Sequence, residues 1–134
     1  SLGGGEPFEY DGIFDIIDAL YDRCYLSITT NGLPLQNDFL WNKLMHHQPD
    51  KIHITIHYPD KEQEVVRVLN QIQRLIQTNI KPGVNLLVGA DNVVAAQSVY
   101  KKLSSFLKDM AIPLLPNSWQ WLQVGSPFKA LHVC

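Results

Sequence analysis

The sequence predicts an α/β fold: an open, partial (βα) barrel of five or six mostly parallel strands with helices on its outer face. Three observations lead there. Strand-like segments end near Gly5, Thr30, Ile56, Val88 and Leu115, at roughly 25- to 32-residue intervals that suit repeated βα units. Between them, apolar residues recur at helical spacing. The strands themselves are apolar on one face only. In Lys51 to His57 (KIHITIH) the isoleucines alternate with His53, Thr55 and His57. A doubly wound sheet is covered by helices on both faces, so its central strands should be apolar on both. One apolar face under helices and one polar face describe an arc of a barrel instead, with too few strands to close it.

The elements follow in order. Gly3, Gly4 and Gly5 end the first strand, where three residues without Cβ let a backbone approach a ligand closely. Ile13, Ile16, Ile17, Leu20 and Tyr21 make the apolar stripe of a first helix. The next strand sets Leu26, Ile28 and Thr30 against Tyr25, Ser27 and Thr29, and runs into an Asn31-Gly32 turn. A shorter helix carries Leu40, Trp41, Leu44 and Met45. After the Lys51 strand, a helix opens at Asp60 with Gln63 as its capping-box partner, and carries Val65, Val68, Leu69, Ile72, Leu75 and Ile76. Val84 to Gly89 form a strand with Asn85 on its inward face by parity. The last helix begins at Asp91 or Asn92 and buries Val99, Leu103, Phe106 and Leu107; the strand Ile112 to Pro116 follows. Residues 1–134 form a single domain. Residues 117–134 read as an irregular segment that starts a further region, with one short strand around Trp119 to Val124.

Bulk properties exclude several classes. A chain of 134 residues fits one domain with a sizeable core. It is 46% hydrophobic and 18% charged with net charge -2, so no basic excess points to nucleic acid. No apolar run approaches the roughly 18 residues of a membrane span, and there is no signal-peptide pattern. Cys24 and Cys134 form neither a disulfide framework nor a CxxC metal site, so the expected setting is reducing and cytoplasmic. Cys24 reads as a small core residue. His46 and His47 are adjacent on a helix, about 100° apart, and do not share a metal. No metal ligands are assigned, and no GxSxG or P-loop pattern is present.

Two motifs carry a resemblance. Gly4-Gly5-Glu6-Pro7 reads GGEP, and Thr30-Asn31-Gly32 reads TNG one helix later. In this order and spacing they resemble the radical S-adenosylmethionine (SAM) enzymes, whose second strand ends in GGEP and whose third ends in TNG. The resemblance implies a TIM-barrel-like core with SAM and a [4Fe–4S] iron–sulfur cluster as cofactors. It also implies oxidoreductase chemistry, in which SAM is cleaved reductively to a 5′-deoxyadenosyl radical that abstracts hydrogen from a substrate not identified by the sequence. The family holds its cluster with CxxxCxxC ahead of the GGEP strand, whereas here only Ser1-Leu2 precede it. The chain is therefore expected to be a core fragment, inactive alone and with no cofactor bound.

By the same resemblance Gly4, Gly5 and Glu6 meet the SAM ammonium group, and Thr29 and Asn31 lie at the next strand end. Thr55 to Glu62 (TIHYPDKE) is similar to the family's S-x-x-x-P-D-K-E run, which places Thr55 and His57 against the ribose or carboxylate. Asn85 completes the polar face, and the backbone of Val88 and Gly89 lies near the adenine. The rival reading from another class is a non-redox α/β domain whose Gly3–Gly5 turn cradles a phosphate or nucleotide with backbone N–H groups. The Leu2–Glu6 strand should expose an unpaired edge. That edge is expected to self-associate with a second copy or to be covered by the chain's own stretch from Trp119 to Val133.

Overall fold

The computed structural model describes residues 1–109, 120–124 and 128–133. Strands β1 (Ser27–Thr30), β2 (Lys51–Ile56) and β3 (Lys81–Val88) are parallel and lie side by side in chain order. Helices α1 (Ile13–Leu20), α2 (Asp38–His46), α3 (Glu62–Ile76) and α4 (Val93–Asp109) alternate with them, and short 3-10 turns sit at Pro7–Glu9 and Pro34–Gln36. The fold class is α/β, as expected. Two further strands, β4 (Gln120–Val124) and β5 (Phe128–Val133), form an antiparallel hairpin, and β5 pairs antiparallel with β3. Among the described residues, no helix is long and apolar enough to cross a membrane.

Register explains the layering. Ile28 lies opposite Ile52, Ile54 opposite Val84, and Ile56 opposite Leu86, so one sheet face is continuously aliphatic and buried. A single apolar cluster joins that face to Phe14 and Ile17 of α1, Trp41 and Leu44 of α2, Val68 and Ile72 of α3, and Val99 and Leu103 of α4. The opposite face carries Thr29 beside His53 beside Gly83, then Thr55 beside Asn85. His53 lies flat over Gly83: a Cβ there would come within 2.5 Å of its imidazole. His53 and Thr55 are both buried, so this polar face is packed where an open concavity was expected.

Several expectations are corrected. The parallel set has three strands, which does not make a barrel of five or six. The strand expected to end at Gly5 is reduced to one parallel bridge between Leu2 and Ile28. Leu2 N–H donates to the Ser27 carbonyl at 2.7 Å and Thr29 N–H to the Leu2 carbonyl at 3.0 Å. Pairing stops there because Gly4 and Gly5 take φ of 91° and 63°, outside strand geometry. The strand expected over 112–116 lies outside the described residues. The segment expected to be irregular carries the hairpin, whose β4 matches the short strand foreseen near Trp119 to Val124. That hairpin does not cover Leu2–Glu6. It adds to the opposite edge of the sheet, where the eight residues of β3 present a far longer row of unpaired backbone groups.

The start of α3 also moves. It begins at Glu62 with Lys61 at the cap position and no side-chain cap, whereas Asp60 was the expected start. A turn closed by Lys61 N–H to the Tyr58 carbonyl, 2.9 Å, delays the helix. Cys24, expected in the core, is exposed beyond the end of α1.

Candidate functional site

The carboxyl ends of β1, β2 and β3 form a rim to which most of the predicted site residues belong. The Leu2 bridge brings the glycine turn to this rim, with Gly3 alongside Thr29: a Cβ on Gly3 would lie 3.9 Å from Thr29 Cβ. A Cβ built on Gly4 or Gly5 meets nothing within 4 Å, so the turn borders open space. Among the described residues, the carbonyls of Gly4 and Gly5 accept no backbone hydrogen bond.

Glu6 is committed to the protein. Its Oε1 accepts from Phe8 N–H at 3.2 Å and from the Thr30 hydroxyl at 2.7 Å; its Oε2 accepts from Asn31 N–H at 2.8 Å. The carboxylate thereby caps the short helix at Pro7 and ties the GGEP turn to the TNG turn. It is a clamp between the two motifs, with little capacity left for a ligand ammonium.

Protein groups satisfy the backbone of Asn31 and Gly32 in the TNG turn. Gly32 N–H donates to the Thr30 hydroxyl at 3.0 Å, and Leu33 N–H to Asn31 Oδ1 at 2.7 Å in an Asx turn. Its carbonyls face α3. Arg67 Nη1 donates to the Asn31 carbonyl at 3.0 Å and to Gln71 Oε1 at 3.3 Å, and Gln71 Nε2 donates to the Gly32 carbonyl at 2.6 Å. Gly32 has φ of 79°, and a Cβ there would meet Gln71 Oε1 at 2.5 Å. Burial pulls the Arg67 guanidinium below its ordinary value, and Glu64, 3.9 Å away, opposes that shift.

Further along the rim, Thr55 and Asn85 are register partners on one face, and Asn85 Oδ1 is buried with no hydrogen-bond partner among the described residues. His57 departs from its expected place beside Thr55. Its backbone N–H and that of Tyr58 donate to the Glu64 carboxylate at 2.9 and 3.0 Å, and its ring lies 3.7 Å from Glu64 Oε1. The pleat ends at Ile56, so strand parity no longer governs the next side chain. His57 instead lines a cavity of about 700 Å³ with Tyr58, Asp60, Asp91, Asn92 and Ser98. Val88 packs on the helix-facing core, and its position on β3 is paired on the far side with Lys129 of β5. Gly89 N–H donates to Asn92 Oδ1 at 2.8 Å. Val88 is thus paired on its β5 side, and the Gly89 N–H is taken by Asn92.

The structure thus gathers Gly4, Gly5, Glu6, Thr29 and Asn31 into one corner, places Thr55 and Asn85 beside each other on the next two strands, and leaves His57 and Val88 apart. Thr30, Glu64, Arg67 and Gln71 were not anticipated. One of them carried a sequence signal: Gln71 is a polar residue inside the buried stripe of α3, next to Ile72. Among the described residues, no group of three or more His, Cys, Asp or Glu is placed to hold a metal. No family model, curated protein or solved structure matches the chain.

Proposed function

We propose that this chain is the SAM-binding arc of a radical-SAM enzyme, an open part of a (βα) barrel whose carboxyl rim receives the cofactor. The observation that carries the reading is the meeting of the two motifs: the parallel Leu2–Ile28 bridge and the Glu6 clamp hold the GGEP turn against the TNG turn. The sequential order of three parallel strands, with one aliphatic face toward four helices, supports an arc of a barrel over a doubly wound sheet.

The residues fit SAM in part. Open space at Gly4 and Gly5, with carbonyls that accept no backbone hydrogen bond among the described residues, suits an ammonium group. Asn85 Oδ1, buried beside Thr55 without a hydrogen-bond partner among the described residues, is an acceptor that a hydroxyl donor such as a ribose would satisfy on reaching it. Glu6 serves here as the clamp that fixes both turns. The described residues do not fit an iron–sulfur cluster, so the cluster, which supplies one-electron cleavage of SAM in that family, has no step derived for it. The phosphate reading is disfavoured by Glu6, whose carboxylate already occupies the N–H groups of Phe8 and Asn31 and would repel an anion.

Saturation-transfer NMR on the purified chain tests this reading, with SAM in one arm and inorganic phosphate in the other. The expected result is saturable SAM binding at about millimolar Kd, near -4 kcal/mol, because metal bonds to the amino acid moiety are absent. Phosphate should not compete. Phosphate binding in preference to SAM, or no SAM binding to about 10 mM, would overturn the proposal.

A further inference from the structure

The way α3 grips the TNG turn carries one inference more. Two consecutive carbonyls, of Asn31 and Gly32, point at the same helix and are met by adjacent polar side chains, Arg67 and Gln71. Both side chains are costly to place there. Gln71 is 4% exposed, and the Arg67 side chain 15% exposed. A simple turn needs neither, since water satisfies turn carbonyls at a surface. The consequence of the grip lies at Asn31. With its N–H held by Glu6, its carbonyl by Arg67 and its Oδ1 by Leu33 N–H, only its Nδ2 donates to no protein atom among the described residues. Its one uncommitted group is therefore a hydrogen-bond donor in a fixed direction.

We infer that Arg67 and Gln71 are positioning residues. They hold the Asn31-Gly32 turn so that Asn31 presents its amide N–H₂ to an acceptor oxygen of the bound ligand. The inference rests on the SAM reading above and adds to it the group that Asn31 offers and the residues that aim it. Arg67 acts through Gln71 as well as directly, because its Nη1 shares donors between the Asn31 carbonyl and Gln71 Oε1. A lysine could donate to these acceptors but lacks the second guanidinium nitrogen, Nη2, that lies 3.9 Å from Glu64 Oε1 and helps to fix the direction of Nη1.

The test is a ¹H–¹⁵N NMR titration of the full chain with SAM, comparing wild type with Arg67→Ala, Arg67→Lys, Gln71→Ala and, as a control, Gln73→Ala on the exposed face of α3. Arg67→Ala and Gln71→Ala should each weaken SAM about tenfold, the loss expected when a charge-assisted or buried hydrogen bond disappears. Arg67→Lys should fall between wild type and Arg67→Ala, and Gln73→Ala should match wild type. The Asn31 side-chain N–H₂ resonance should move on SAM addition in wild type and lose most of that shift in Arg67→Ala. A purely structural role would alter stability in the same variants without moving that side-chain response. Wild-type affinity in both Arg67→Ala and Gln71→Ala overturns the inference while leaving the SAM reading intact. Failure of the wild type itself to bind SAM removes the SAM reading, and the inference with it. Should Arg67→Ala not fold, Arg67→Lys decides, and wild-type affinity there counts against us.

Discussion

Gly5 and Gly32 both lie in the left-handed region, at φ of 63° and 79°, yet their surroundings set different penalties for a side chain. At Gly5 a Cβ meets open space; at Gly32 it meets Gln71 Oε1 at 2.5 Å, Arg67 Nη1 at 2.8 Å and Ile54 Cγ2 at 2.8 Å. Gly5→Ala should therefore cost only the backbone term, about 1 kcal/mol. Gly32→Ala adds overlap with a packed helix and should cost about 3 kcal/mol. Urea unfolding midpoints measure both. Equal losses would mean that α3 does not pin the turn. The need for glycine in a TNG turn was legible in the sequence. The second reason, two side chains crowding its α-carbon, was not, because Gln71 hydrogen-bonds Gly32 from 39 positions away.

At the scale of elements, α3 shows what periodicity reveals and what it conceals. Val65, Val68, Ile72 and Leu75 form the buried stripe read from spacing alone, and they pack against β2 and β3. Leu75 is fully buried and Val66 is 47% exposed. Leu75→Ala should destabilise by about 2–5 kcal/mol, and Val66→Ala by less than about 0.5 kcal/mol, in thermal or denaturant unfolding. Comparable effects would show that the helix is docked on another face. The first turn of α3 departs from the expected start at Asp60. Asp60 and Gln63 make a plausible capping box, but the Tyr58–Lys61 turn intervenes and Glu64 reaches back to His57 and Tyr58. A capping pattern reports local preference, whereas the carboxylate here answers two backbone N–H groups left at the end of β2. The His57 ring lies 3.7 Å from the same carboxylate, one residue past the last pleat of β2, where strand parity no longer predicts its direction.

For the whole molecule, alternation within β1 and β2 was enough to separate an aliphatic, helix-covered face from a polar one. It could not fix the strand directions beyond β3. Parallel and antiparallel neighbours satisfy the same alternation, and the choice at the β3 edge falls to a hairpin remote in sequence. The two motif turns were legible as neighbours because their spacing equals one βα unit. The clamp that joins them was read as a ligand group, since a glutamate beside three glycines does not declare which donors it will meet.

On the proposed function, the motif corner of the carboxyl rim, and no other concavity, receives the ligand. The ¹H–¹⁵N shift map of the intact chain at saturating SAM tests it most directly. The map should change at Gly4, Gly5, Thr29, Asn31, Thr55 and Asn85, and stay still at Asp91 to Ala95 and along the outer groove of α3 around Gln63 and Arg74. Shifts centred on the His57–Asp91 cavity or on that groove, with the Gly4–Asn31 corner unmoved, would contradict it.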